Sequence, residues 1–314
     1  MIVTFTPSPS LDRAYDVTEL AVGEVNRATG THIHAGGKGI NVSRALARHG
    51  VPTVAVLPTG GPDGDQLLIA LGRQGVASRP VPVAGDTRSN VTLVSQDGVT
   101  TKINAPSPEL SPDESRALIE AVEAEAAHGA RWIVAAGSLP DGSGDLFARL
   151  GEVSRRRGIP LALDTSGAPL RDTLAAGGIA LVKPNDDELA ELVGADLQTV
   201  GDVRAAAREL IAAGTGAVLV SLGSHGALLV VPDGCWWAGG APLVPLSTVG
   251  AGDTTLAGYL SADGTPPERL RRAVAWGRAA VLMPGSDVPD PSRVDVAAVR
   301  VVDDPDPHLT LKEL

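Results

Sequence analysis

A single cysteine, Cys235, stands in 314 residues, so no disulfide can close within the chain and a reducing, cytoplasmic setting is the expectation. Aromatic side chains make up only 3% of the sequence, so a core must be built from Ala, Val, Leu and Ile. Lysine is scarce too: of 26 basic residues only Lys38, Lys102, Lys183 and Lys312 are lysines. No apolar run reaches the roughly 18 to 20 residues of a membrane span. Met1 leads straight into Ile-Val-Thr-Phe-Thr without a basic n-region, so neither export nor a membrane partner is expected. The net charge of -11 argues against a nucleic-acid partner, since duplex binding depends on Lys and Arg neutralising phosphates. With 43% hydrophobic and 20% charged residues, the chain has the makings of a folded globule. Its length fits two domains of about 150 residues or one large α/β domain.

Short apolar runs bounded by turn residues recur at Val54 to Leu57, Trp132 to Ala136, Ile159 to Leu163, Ile179 to Val182 and Val218 to Leu222. Continuous apolarity marks strands covered on both faces. Between them, Pro112 to Ala127, Asp145 to Arg157, Asn185 to Val193 and Asp202 to Ala213 carry helical spacing. Strand alternating with helix predicts a doubly wound, mostly parallel sheet. Two stretches break the rhythm. Residues 11–35 and 87–104 alternate polar and apolar side chains, and Asp97-Gly98 sits between two strand-like runs, a hairpin signal. They are expected to form a small antiparallel β lid, discontinuous in sequence, on a large α/β domain made of residues 1–10, 36–86 and 105–314. The Pro- and Asp-rich tail after Met283 is expected to wrap the surface.

Three motifs carry chemistry. Gly36-Gly37-Lys38-Gly39-Ile40-Asn41 opens a helical pattern ending at Gly50, where glycines let a ligand approach the backbone and helix N–H groups attract anions. A tight turn with an exposed Lys would look the same, and the Walker pattern is absent. Ser247-Thr248-Val249-Gly250-Ala251-Gly252-Asp253-Thr254 runs into the apolar stretch Leu256 to Leu260. The amides of Gly250, Ala251 and Gly252 could stabilise charge on a transferring phosphoryl group, and Asp253 could accept a proton from an attacking hydroxyl. The plain alternative for Asp253 is a helix-capping carboxylate. Lys183-Pro184-Asn185-Asp186-Asp187-Glu188 follows an apolar strand, and Asn185 and Glu188 share a face of the first helical turn. An amide oxygen and a carboxylate suit hydrated Mg²⁺, though an acidic first turn also simply complements the helix dipole. Ser221 to Gly226 and Gly137-Ser138 are strand-end Gly/Ser turns, weak signals alone.

Taken in order, these blocks resemble the ribokinase-like sugar kinases, the PfkB family, from Asp12 to about Pro291. The resemblance implies that Asp253 is the catalytic base, with Gly250, Ala251 and Gly252 as its anion hole. It implies ATP and Mg²⁺ as cofactors: Lys183, Asn185, Ser221, Gly223, Ser224 and Gly226 on the nucleotide, Asn185 and Glu188 on the metal through water. Within the family the chain looks like the branch acting on phosphorylated ketohexoses, because Asp12 matches a sugar-binding aspartate and Thr87-Arg88-Ser89-Asn90 a phosphate-binding lid segment. Gly36, Gly37, Lys38, Asn41, Arg88, Asn90 and Ser138 join Asp12 as expected substrate contacts, with Lys38 and Arg88 clamping the sugar's phosphate. The expected reaction is phosphorylation of the C6 hydroxyl of fructose 1-phosphate, with tagatose 6-phosphate or another ketohexose phosphate as the neighbouring substrate, and a homodimer through the lid is the candidate assembly.

The pattern is not complete. Ser8 stands where the family usually has Asn, and Ala105-Pro106-Ser107-Pro108 replaces a more usual Glu/Phe-x-Gly stretch, which bears on substrate choice. A dehydrogenase is disfavoured, since Thr6-Pro7-Ser8-Pro9-Ser10 after the first strand lacks Gly-x-Gly-x-x-Gly. A non-catalytic sugar-phosphate sensor on the same scaffold would be expected to lose Asp253 or its glycines, and both are present.

Overall fold

The computed structural model describes residues 1–314. In chain order the elements are β1 (Ile2–Phe5), β2 (Ser10–Val17), β3 (Gly30–Gly36), α1 (Lys38–Arg48), β4 (Thr53–Thr59), α2 (Gly61–Arg73), β5 (Ala77–Pro82), β6 (Arg88–Ser95), β7 (Thr100–Ile103), α3 (Pro112–Ala126), β8 (Trp132–Ala136) and α4 (Leu146–Arg157). There follow β9 (Leu161–Asp164), α5 (Gly167–Ala176), β10 (Leu181–Val182), α6 (Asp186–Val193), α7 (Val200–Ala212), β11 (Val218–Ser221), β12 (Ala227–Val231), β13 (Gly234–Gly239), α8 (Ala251–Leu260), α9 (Pro266–Ala280) and β14 (Arg300–Asp303).

The main sheet has ten strands in the order β14-β13-β12-β11-β10-β9-β8-β1-β4-β5. From β5 through β11 every pairing is parallel, and β12, β13 and β14 add an antiparallel edge. Its central strands are buried on both faces, which is why they read as unbroken apolar runs. In β8, Ile133 and Ala135 join a core layer with α3, α4 and α7, while Val134 and Ala136 join the opposite layer with α1, α8 and α9. This is the doubly wound ribokinase-like α/β fold.

The second sheet has four strands in the order β3-β2-β6-β7. Gly98, with φ +86°, turns the β6–β7 hairpin where Asp97-Gly98 predicts it. Both outer pairs are antiparallel, but the central pair β2–β6 is parallel, so the small sheet is mixed. The reason is topological: two hairpins far apart in sequence meet side by side, and no turn between them dictates an antiparallel approach. The tail is also more than a wrapping. β14 pairs with β13 at the sheet edge, and Leu309, Leu311 and Leu314 pack on the core beyond it.

β3 runs directly into α1 through Gly37, whose φ of +126° is open only to glycine and whose missing Cβ leaves room for the Thr6 methyl. The small sheet and the first turn of α1 are thereby joined with no slack.

Candidate active site

At the carboxyl ends of the parallel strands lies a cavity of about 500 Å³. Its charged end holds Lys38, Asp164, Lys183, Glu188 and Asp253; Leu243, Pro245, Val274 and Val281 supply an apolar wall. Four separate segments build it. β9 delivers Asp164, the end of β10 delivers Lys183, α1 delivers Lys38, and the turn into α8 delivers Gly250 to Asp253. Asn185 bridges Ser221, which sets the Lys183-Pro184-Asn185 segment alongside the Gly223–His225 turn.

Gly250 caps α8 in the left-handed region at φ +76°, and no side chain caps this helix. Ala251 donates its N–H to the Thr248 carbonyl at 3.3 Å, so it does not contribute to the anion hole expected of it. The amides of Gly250, Gly252 and Asp253 form no hydrogen bond and stand free at the positive end of the helix. Asp253 does not cap its own helix. Its Oδ2 instead accepts from Asn41 Nδ2 at 2.8 Å. Burial, aided by the negative charge of Asp164, pushes the Asp253 carboxyl up to about 6.

Asp164 was not singled out in the sequence, although an Asp ending an apolar strand was a usable signal. It is fully buried, 2.8 Å from Lys38 Nζ and 3.0 Å from Lys183 Nζ. Burial alone would raise its pKa, but the two ammonium groups outweigh that and hold it below the usual carboxylate range. Burial would lower the pKa of Lys38, but Asp164 and Glu188 raise it further above the usual lysine value. Lys183, 4% exposed, lies against Gly252: a Cβ there would come within 3.2 Å of its Nζ. Two cations are therefore held firmly beside the free amides.

Asn185 and Glu188 form a reciprocal capping box, with Asn185 Oδ1 accepting from the Glu188 N–H at 2.6 Å and Glu188 Oε2 accepting from the Asn185 N–H at 2.9 Å. The pair thus caps its own helix start, a role beyond the dipole complement expected of an acidic first turn. Glu188 Oε1 remains turned to the cavity, 3.7 Å from Lys38. One carboxylate oxygen with a neighbouring amide is a donor set that fits a hydrated Mg²⁺.

The small sheet carries the remaining residues. Asp12 Oδ1 accepts from Ser10 Oγ at 2.7 Å and from Asn90 Nδ2 at 2.9 Å, while Gly36 leaves room for Asp12 Oδ2 that any side chain would fill. Arg88 donates to the backbone carbonyls of Ser8, Pro9 and Ala105. The two departures from the family pattern meet here, since Ser8 and Ser107 hydrogen-bond through their hydroxyls. Two other expected substrate contacts make no hydrogen bond to this cluster. Lys38 faces Asp164 in the cavity and shares no partner with Arg88, because α1 begins at Lys38 and points it along the sheet's carboxyl edge. Ser138 is exposed and hydrogen-bonds to none of these groups; a Cβ on the preceding Gly137 would lie 4.0 Å from the Lys38 backbone nitrogen.

Residues 7–293 match the model of the pfkB family carbohydrate kinases. The chain belongs to that family. It is 37% identical over 291 residues to the ATP-dependent 6-phosphofructokinase isozyme 2 of Escherichia coli, covering 91% of this chain and 94% of the other. It is 35% identical over 306 residues to a 1-phosphofructokinase of Rhodobacter capsulatus, 95% of each. Among solved structures, Escherichia coli phosphofructokinase-2 in complex with fructose-6-phosphate superposes with a TM-score of 0.84 at 34% identity over 94% of this chain and 98% of that one. This kinase is thus an ATP-dependent phosphotransferase of the carbohydrate class, and its relatives are sugar-phosphate kinases. No helix is long and apolar enough to cross a membrane.

Proposed function

We propose that this kinase transfers the γ-phosphoryl group of ATP to the C6 hydroxyl of fructose 1-phosphate, giving fructose 1,6-bisphosphate. The observation that carries the assignment is a buried, uncapping Asp253 beside three free amides, open to the cavity on one side and bonded to Asn41 of α1 on the other. The bond from O6 to Pγ forms, the bond from Pγ to the β,γ-bridging oxygen breaks, and the C6 hydroxyl proton passes to Asp253. The transition state is loose, so the carboxylate need only be in place when the proton leaves. Charge on the moving phosphoryl oxygens is met by the amides of Gly250 and Gly252 and by Lys38 and Lys183. Asp164 holds both ammonium groups in place through its two carboxylate oxygens. Ser221, Gly223, Ser224 and Gly226 line the nucleotide's course toward the apolar wall. Asn185 and Glu188 would hold Mg²⁺, which when bound neutralises charge between the β- and γ-phosphates.

Asp12 and Asn90 take the sugar hydroxyls, and Arg88, a planar fork with donors beyond its carbonyl contacts, takes the sugar's phosphate. A second reading, fructose 6-phosphate as acceptor, is favoured by the 37% identity to the 6-phosphofructokinase isozyme; tagatose 6-phosphate is the third. A coupled ADP-release assay with fructose 1-phosphate, fructose 6-phosphate and tagatose 6-phosphate separates them. The highest kcat/KM is expected for fructose 1-phosphate, and a higher value for either 6-phosphate transfers the assignment to it.

The four-stranded sheet acts as the lid over the sugar. Ile33, Arg13, Val91 and Ile103 form a row across all its strands, on the face opposite Asp12. Ile33 and Ile103 are 45% and 60% exposed, and this face is the proposed surface of a homodimer.

A further inference from the structure

Arg44, in the second turn of α1, is 5% exposed, yet its bonds are only two: Nη1 donates to Asn41 Oδ1 at 3.1 Å and to Ser286 Oγ at 3.3 Å. Its Nε is buried with no partner. A guanidinium withdrawn from water without a bonded carboxylate is expensive, and an apolar side chain of similar volume would serve packing better. The charge must serve something else. Asn41, one turn earlier, is the residue that meets Asp253, and Ser286 comes from the loop after α9 that closes over Gly250.

We propose that Arg44 is a positioning residue for the base: it turns the amide of Asn41 so that its NH₂ group, and not its carbonyl, meets Asp253 Oδ2, leaving Oδ1 to receive the alcohol proton. The two ends of an amide have the same shape, so only their partners decide the orientation. A guanidinium has donors alone and accepts nothing, so it admits only the Asn41 carbonyl. A flipped amide would put carbonyl against carboxylate and drive Asp253 toward its protonated form. Arg44 also faces Asp12 and His34 from the lid, Asp287 from the loop after α9 and Asp253 itself. Asp253 is faced by Lys38 and Asn41 from α1, Asp164 from β9 and Lys183 from β10.

This assignment rests on Asp253 as the base, and the experiment separates the two. The kcat of the full chain is measured against pH for wild type, Arg44→Met, Arg44→Lys, Asn41→Ala, Asn41→Ala/Arg44→Met and Asp253→Asn, with thermal melts as a folding control. Arg44→Met is expected to lower kcat about 10- to 100-fold and to move the acid limb up by about one pH unit, with KM for ATP changed less than about threefold. Arg44→Lys, still a donor, should keep the limb near its wild-type position. In the Asn41→Ala background the same Met change should cost less than about threefold, because the relay is already cut. An unmoved limb in Arg44→Met, or losses that multiply in the double variant, overturns the proposal. If Arg44→Met does not fold, the limb must shift in Asn41→Ala and stay in Arg44→Lys; the opposite pattern overturns it. Retained turnover in Asp253→Asn overturns the base itself.

Discussion

Asp253 concentrates the residue-scale chemistry. An aspartate whose carboxyl sits at about 6 is ionised at neutral pH but close enough to titrate in assays. Turnover is expected to fall below pH 6 as the base takes up a proton. Asp253→Asn should lower kcat by roughly 10² to 10⁴-fold with the fold intact. The same group predicts a stability effect of definite sign. Its pKa is higher folded than the unfolded value of about 3.9, so the native state binds the proton more tightly and the ionised carboxylate is a cost to the fold. That cost is full above the folded pKa and vanishes below the unfolded one. Asp253→Asn should therefore melt higher than wild type at pH 8, with the gap closing as pH falls through 6 toward 4. Equal melting temperatures at pH 8 would show that burial does not burden this carboxylate.

Among the elements, α8 does the most to place the site. Every residue from Asp253 to Leu260 is buried, so this helix has no solvent face and its position is set by packing alone. Gly258 lets α9 approach: a Cβ there would lie 2.9 Å from Trp276 Cγ, 3.0 Å from Ala273 Cα and 3.0 Å from the Arg272 carbonyl. Two of those three atoms are backbone and cannot step aside. Gly258→Ala should destabilise the protein by about 1 to 3 kcal/mol through overpacking, despite the better helix propensity of alanine. Because α8 carries the free amides, kcat should fall as well, and a thermal melt with a matched kinetic assay checks both. The capping boxes at Ser111, Asn185, Thr199 and Thr265 show the opposite case, in which a local signal fixes a helix start.

For the molecule as a whole, the four-stranded sheet, proposed as the lid, carries Asp12 on one face and Ile33 and Ile103 on the other. Ile33 and Ile103, exposed at the two edges of that face on either side of Arg13 and Val91, ask for a partner, and a second copy of the chain is the one proposed. Ile103→Asp should convert a dimer to a monomer in light scattering after gel filtration. Sugar-phosphate KM should rise more than ATP KM if the small sheet covers the sugar as proposed. A wild-type monomer at assay concentration would end the dimer reading.

The parallel core was legible because strands buried on both faces must be apolar throughout, and Trp132 to Ala136 says so in five residues. The Asp97-Gly98 hairpin and the starts of α3, α4 and α6 are local events and could be read locally. So could the glycine block before Asp253. Whether Asp253 caps its helix or faces another residue was not local: it is decided by Asn41, 212 positions away, and Asn41 by Arg44. Asp164 gained its two lysines, and Lys38 its place away from Arg88, only when β9, β10 and α1 met at one end of the sheet. The mixed pairing of the lid and the docking of β14 depend likewise on segments distant in sequence. Hydrophobic period and turn chemistry are written along the chain. The pairing of charges is written across it, because a carboxylate's proton affinity depends on which cations and amides the fold brings within a few ångströms and how much water it removes.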